Sequence, residues 1–146
     1  MSAYLLDANV LIALAWPQHV HHAAAHKWFA KEGRRAWATC AITQLAFVRV
    51  SSNPGIIPDA VSPREACSVL EKITQRPGHR FWADTAEVCL LDELKSIALV
   101  GYRQLTDAYL IGLARLHEGR IATLDRAMPD LASAKPGEAS SVELIE

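Results

Sequence analysis

The sequence predicts an α/β protein: a mainly parallel central sheet flanked by helices, in three layers. Three observations predict it. Ala3 to Leu6 is apolar throughout rather than alternating, which suits a strand covered on both faces. Short segments of this kind alternate with helical ones along the chain, the element order of parallel sheets. One helix, Leu105 to His117, is apolar nearly all round and so belongs inside.

The elements follow in order. Ala3 to Leu6 is the first strand, with Asp7 directly after it. Ala8 to Leu14 is helical until Pro17 breaks the pattern. Val20 to Lys31 is a second helix, ended by Gly33. Ala36 to Ala38 is a short second strand. Thr43 to Ser52 is helical despite its valines, and Asn53-Pro54-Gly55 ends it. Ser62 caps the next helix and Pro63 suits its first turn, where an N–H would be unpaired anyway. Ala66, Val69, Leu70 and Ile73 form that helix's apolar stripe, and Pro77-Gly78 closes it. His79 to Trp82 is a third strand and Val88 to Ile97 a short helix. In the central helix, Leu105, Ala108, Tyr109, Gly112, Leu113 and Leu116 repeat at helical spacing, while Leu110, Ile111 and Ala114 cover much of the remaining girth. Arg120 to Leu124 is a buried strand ending at Asp125, and Val142 to Ile145 adds an edge strand.

Composition bounds the function. A length of 146 residues predicts one domain, 1–146, with a core that needs no disulfides or metal. The formal net charge of -1 excludes a polybasic protein. Contact with RNA or DNA would fall to local arginines, and 10 of the 15 cationic residues are Arg, which grips phosphate bidentately. Cys40, Cys67 and Cys89 are odd in number and lack C-x-x-C spacing, so they read as reduced thiols. Asn9 to Trp16 has the apolarity of a signal-peptide core, but no Lys or Arg precedes it. No apolar run reaches the ~18 residues of a membrane span. A soluble cytoplasmic protein is expected, with no membrane partner.

Three aspartates interrupt this apolar pattern. Asp7 and Asp125 each follow an apolar strand, so a parallel sheet would bring both out at its carboxyl-end edge. Asp107 opens the buried helix, with Leu110, Ile111 and Ala114 on its face. Each has a local explanation: Asp7 as a helix cap, Asp107 as a first-turn acid beside Thr106, Asp125 as a turn former. Together, three carboxylates at one sheet edge favour a hard-cation site. Mg2+ takes carboxylate oxygens, keeps several waters and is completed by substrate phosphates. That points to phosphoryl-ester chemistry with a metal-bound water as nucleophile.

Other chemistries find less support. There is no P-loop, no G-x-G-x-x-G fingerprint and no G-x-S-x-G elbow. A small-ester phosphohydrolase would want D-x-D after the first strand, and position 9 is Asn. His19, His21, His22 and His26 form a cluster, and His22 and His26 have a spacing that can hold zinc. No Glu lies between them in the H-E-x-x-H manner, so a surface or helix-packing role is expected. Arg115 is expected to complement the C-terminal end of the central helix.

The chain resembles PIN-domain ribonucleases, specifically the VapC-type toxins of bacterial toxin–antitoxin modules. The resemblance rests on Leu5-Leu6-Asp7-Ala8-Asn9-Val10-Leu11-Ile12, on Leu105-Thr106-Asp107-Ala108-Tyr109-Leu110, and on Ala122-Thr123-Leu124-Asp125-Arg126. His19-Val20-His21-His22 with Ala25 and Trp28, and Phe47-Val48-Arg49-Val50 with Ser52-Asn53-Pro54, are similar to one subgroup of these toxins. The set runs in order across nearly the whole chain. It implies a metal-dependent endoribonuclease, using Mg2+ or Mn2+ and leaving a 5′-phosphate. It also implies a homodimer neutralised by a cognate VapB-type antitoxin.

By position, the resemblance makes Asp7, Asp107 and Asp125 the catalytic, metal-holding carboxylates. Asn9, Thr43 and Thr123 form a supporting shell, and Arg49 and Arg126 contact RNA phosphate. One position departs. Where the family has Thr followed by Glu, this chain has Thr43-Gln44. An amide oxygen is a weak metal ligand without full charge. Asp84 and Glu87 are candidate substitutes. The alternative reading is a weakened or inactive PIN-fold module that binds RNA or antitoxin without cutting.

Overall fold

A computed structural model of the chain describes residues 2–96, 99, 101–132 and 140–146. β1 (Tyr4–Leu6) lies at the middle of a five-stranded sheet. β2 (Trp37–Thr39) and β3 (His79–Phe81) follow on one side of it, and β4 (Arg120–Thr123) and β5 (Val142–Leu144) on the other. Every pairing is parallel, with Leu5 beside Ala38 and Ile121. The helices are α1 (Ala8–Ala15), α2 (His22–Lys31), α3 (Ala41–Ser51), α4 (Pro63–Thr74), α5 (Asp92–Lys95) and α6 (Leu105–Leu116). The three-layer α/β arrangement is the one the sequence predicts.

The absence of alternation in β1 has a direct cause. Leu5, Ala38 and Ile121 join the core on the face covered by α6. Leu6, Trp37 and Ala122 join the opposite core, with Val10 and Leu11 of α1, Phe47 of α3 and Leu70 of α4. Both faces of the strand are therefore dry. Seven consecutive residues of α6, Ala108 to Ala114, are buried, as an all-round apolar helix requires. Gly112 lets α5 come close. A Cβ there would stand 2.9 Å from Glu93 Oε1 and 3.0 Å from Leu91 Cδ1.

The strand order decides where a site can form. The chain adds β2 and β3 outward on one side of β1, then returns to lay β4 and β5 on the other. The order reverses between β1 and β4. In open parallel sheets the connections diverge at the carboxyl ends of two such strands, and the crevice between them is the usual ligand position. Among the described residues, no helix is long and apolar enough to cross a membrane.

Most boundaries shift by a residue or so from the sequence reading, and four differences have a local cause. α3 begins at Ala41, ahead of Thr43, because the Thr43 hydroxyl turns back to accept the Cys40 N–H at 3.1 Å and caps the helix. β2 is Trp37–Thr39, one residue later than expected, with Trp37 set between Tyr4 and His79. α2 begins at His22, since turns closed on Trp16 and His19 precede it. The expected helix Val88 to Ile97 is two pieces, a single 3₁₀ turn at Val88–Leu90 and then α5. Leu91 is extended between them (φ -71, ψ 134), buried against α6; Ile97 lies outside the described residues.

Candidate active site

Asp7 continues β1 into the crevice. Its N–H donates to Ala122 O at 2.9 Å, extending the ladder with β4. Its Oδ1 accepts the Ala8 N–H at 2.8 Å, so it does cap α1. Its Oδ2 accepts the Thr123 hydroxyl at 2.7 Å. Burial pushes the Asp7 carboxyl up, the Thr123 and Ala8 donors pull it back, and the Asp125 charge pushes it up again, for a net rise.

Thr123 ends β4 and is fully buried. Its Oγ1 donates to Asp7 and accepts from the Asp125 N–H at 3.0 Å and from Asn9 Nδ2 at 3.4 Å. Asn9 Oδ1 in turn accepts the Leu124 N–H at 3.3 Å. One hydroxyl and one amide thus lock the exit of β4 to the first turn of α1. Asp125 is exposed, and its Oδ1 accepts the Ala127 N–H at 2.9 Å within a turn.

Asp107 arrives from the first turn of α6 and is half-buried. Burial first, then the charges of Asp7 and Asp125, push its carboxyl up to about 6. Coulomb repulsion falls with distance, and Asp7 and Asp125 are the two charges that act on Asp107. Among the described residues, none of the three aspartates forms an ion pair. The donor set is the hard, anionic kind that Mg2+ or Mn2+ takes, and the uncompensated charge fits a cation. The arrangement is open: among the described residues, no three His, Cys, Asp or Glu side chains are grouped to hold a metal ion.

Gln44 lies in the first turn of α3, at the same end of the sheet. Its Nε2 donates to Thr39 Oγ1 at 3.0 Å, so its partner is a threonine and not an aspartate. The Thr39 hydroxyl is also 2.7 Å from His79 Nε2. Thr43 is spent on the α3 cap. Arg49 is exposed near the far end of α3, and Arg126 is exposed directly after Asp125. Asp84 and Glu87 are exposed beyond β3. The histidine cluster sits at the other end of α1, where His22 and His26 bond to the carbonyls of Ala13 and Leu14.

Two residues in these networks went unnoticed in the sequence. Thr39 is a fully buried hydroxyl linking Gln44 to His79; its position at a strand's carboxyl end is the available signal. Glu93 is a buried acid held by Arg115 through bonds of 2.8 and 3.1 Å. Arg115 therefore does more than complement a helix end.

Comparison with known proteins places the chain in a family. The PIN domain family model matches residues 4–134. Over 141 residues the chain is 44% identical to ribonuclease VapC38 of Mycobacterium tuberculosis, covering 97% of this chain and 96% of that protein. It is 43% identical to ribonuclease VapC39 of the same species over 130 residues, 89% of this chain and 94% of the relative. Ribonuclease VapC44 is 40% identical over 124 residues, 85% of this chain and 87% of the relative. On both grounds the chain belongs to the PIN-domain family.

Proposed function

We propose that this chain, as a single domain over 1–146, is a cytoplasmic endoribonuclease toxin that hydrolyses RNA phosphodiester bonds and is neutralised by a VapB-type antitoxin. What supports the reading is that Asp7, Asp107 and Asp125 repel one another at the carboxyl end of the sheet and that, among the described residues, none of them forms an ion pair. These three would hold Mg2+ or Mn2+, drawn inward by the ion's charge. The metal would polarise the phosphate and lower the pKa of a bound water. Thr123 and Asn9 fix the Asp7 carboxylate and the Asp125 backbone, so neither has to search for its position. Arg126, beside Asp125, and Arg49, on α3, are assigned to the RNA backbone, where guanidinium pairs with phosphate. A homodimer is part of the same reading.

Gln44 favours a second reading, a weakened or inactive binding module. Its amide is engaged by Thr39 and carries no charge for a cation. One experiment separates the two. Structured RNA is incubated with the chain and Mg2+ or Mn2+, with and without chelator, beside Asp7→Asn. Chelator-sensitive cleavage absent from Asp7→Asn is expected. Equal cleavage by both proteins removes the catalytic assignment, and binding without cleavage selects the second reading.

A further inference from the structure

The histidines at the far end of α1 take no part in the crevice, and their hydrogen bonds sort them into two chemical kinds. A backbone carbonyl can only accept, so a ring nitrogen bonded to one carries a proton. His22 Nδ1 is 2.7 Å from Ala13 O, and His26 Nε2 is 2.9 Å from Leu14 O. Each neutral ring is thereby held in one tautomer and keeps one nitrogen lone pair, on Nε2 of His22 and on Nδ1 of His26. His19 is the opposite case. Its Nδ1 accepts the His21 backbone N–H at 3.0 Å, so in the neutral ring the proton sits on Nε2 and no lone pair is left over.

His22 and His26 are four residues apart on α2, which puts them on one helix face. Their ring centroids are 4.3 Å apart, with 58° between the planes. Both residues are half-buried, and the carbonyl bonds anchor their rings. Donation of the second ring N–H to a backbone carbonyl is how metal-ligating histidines are generally oriented. Here two adjacent rings share that arrangement. Imidazole suits Zn2+, Ni2+ or Cu2+, whereas carboxylates suit Mg2+ and Mn2+, so this pair and the aspartate crevice call for different ions.

We propose that His22 and His26 form a two-histidine site for a divalent transition-metal ion of the Zn2+ class, with water completing the coordination. Among the described residues no group of three such ligands occurs, so the site is open and its ion exchanges. A bound ion would clamp the two rings that hold the last turn of α1.

The test uses the full chain purified without a polyhistidine tag. It is titrated with Zn2+ by calorimetry in excess Mg2+, which competes for the carboxylates. One equivalent is expected to bind. His22→Asn and His26→Gln each replace the ring N–H with an amide N–H able to reach the same carbonyl, and remove the lone pair. Each is expected to weaken Zn2+ binding at least tenfold, while His19→Gln binds as the unaltered chain does. No Zn2+ uptake by the unaltered chain, or unaltered affinity in both His22→Asn and His26→Gln, overturns the proposal. So does loss of binding in Asp7→Asn with retention in the histidine variants, which puts the ion in the crevice. If a variant fails to fold, ring-proton NMR of the unaltered chain decides. Zn2+ must shift His22 and His26 first among the six histidines, and shifts confined to the others overturn the proposal.

Discussion

At the first turn of α6, Asp107 stands half-buried under the charge of two other carboxylates and, among the described residues, forms no ion pair. Two turns further on, Arg115 of the same helix closes on the buried Glu93 of α5. Both ends carry an acid shielded from water, and the carboxyls move in opposite directions. Burial pushes Glu93 up as it does Asp107. The Arg115 hydrogen bonds, a backbone N–H and the guanidinium charge then bring it below its usual value. At Asp107, burial and like charge add, and nothing opposes them. The paired end contributes to holding the fold. The unpaired end carries repulsion that a proton on Asp107 relieves at low pH and a bound cation would relieve at neutral pH.

The largest expected effect is on activity. Asp107→Asn should lower metal-dependent RNA cleavage by more than the ~10–100-fold typical of a metal's outer-shell partner. Arg115→Met should leave the rate within a few-fold, assayed well below its unfolding midpoint. Equal losses in the two variants would erase the functional difference between the ends.

The next effect is on stability and runs the other way. Breaking a buried ion pair costs ~3–5 kcal/mol. The Arg115 side chain is 42% exposed, so solvent screening lowers the expected cost of Arg115→Met to about 2 kcal/mol. Denaturant titration measures it. Adding Glu93→Gln should recover part of the loss, since the stranded charge is then gone.

A smaller effect appears with pH in metal-free buffer. The folded chain keeps the Asp107 proton up to about pH 6, against an ordinary value of 3.8. Between those values the folded state binds more protons, so stability falls as pH rises. Asp107→Asn removes that slope. It should match the unaltered chain near pH 4 and exceed it by about 1 kcal/mol at neutral pH, allowing for screening at a partly exposed group. Glu93 gives the opposite slope, since its depressed carboxyl contributes stability that is lost as pH falls below its ordinary value of 4.5. A flat pH difference between Asp107→Asn and the unaltered chain would show that the repulsion is not felt.

The smallest effect concerns position 44. Gln44→Glu adds a carboxylate at the unpaired end and should tighten Mn2+ binding by roughly 1 kcal/mol or less, the scale of a partly exposed charge interaction. Calorimetry that finds no change would remove position 44 from the metal site.

Legibility in the sequence followed the same division. Asp7, Asp107 and Asp125 stood out because each sits in or directly after an apolar run, where a charge is conspicuous. Glu93 did not, because α5 is one turn of Asp-Glu-Leu-Lys with no periodicity to separate a buried acid from a surface one. Thr43 was expected beside the carboxylates by resemblance, and its hydroxyl is engaged in the α3 cap. Gln44 was read as a weak ligand, and its contact with Thr39 crosses from helix to strand, beyond any local pattern.

The sequence by itself determined the strands, most helices and the exceptional aspartates, because period and burial are carried by neighbouring residues. Only the tertiary structure decided that the chain reverses its strand order beside β1. That reversal opens the crevice between β1 and β4 and brings Asp7 and Asp125 to one edge. The packing of α6 across the same face then adds Asp107 to them. Asp7 lies a hundred or more residues from Asp107 and Asp125 in the chain, so their repulsion exists only once the sheet has formed, since charge interactions depend on distance in space.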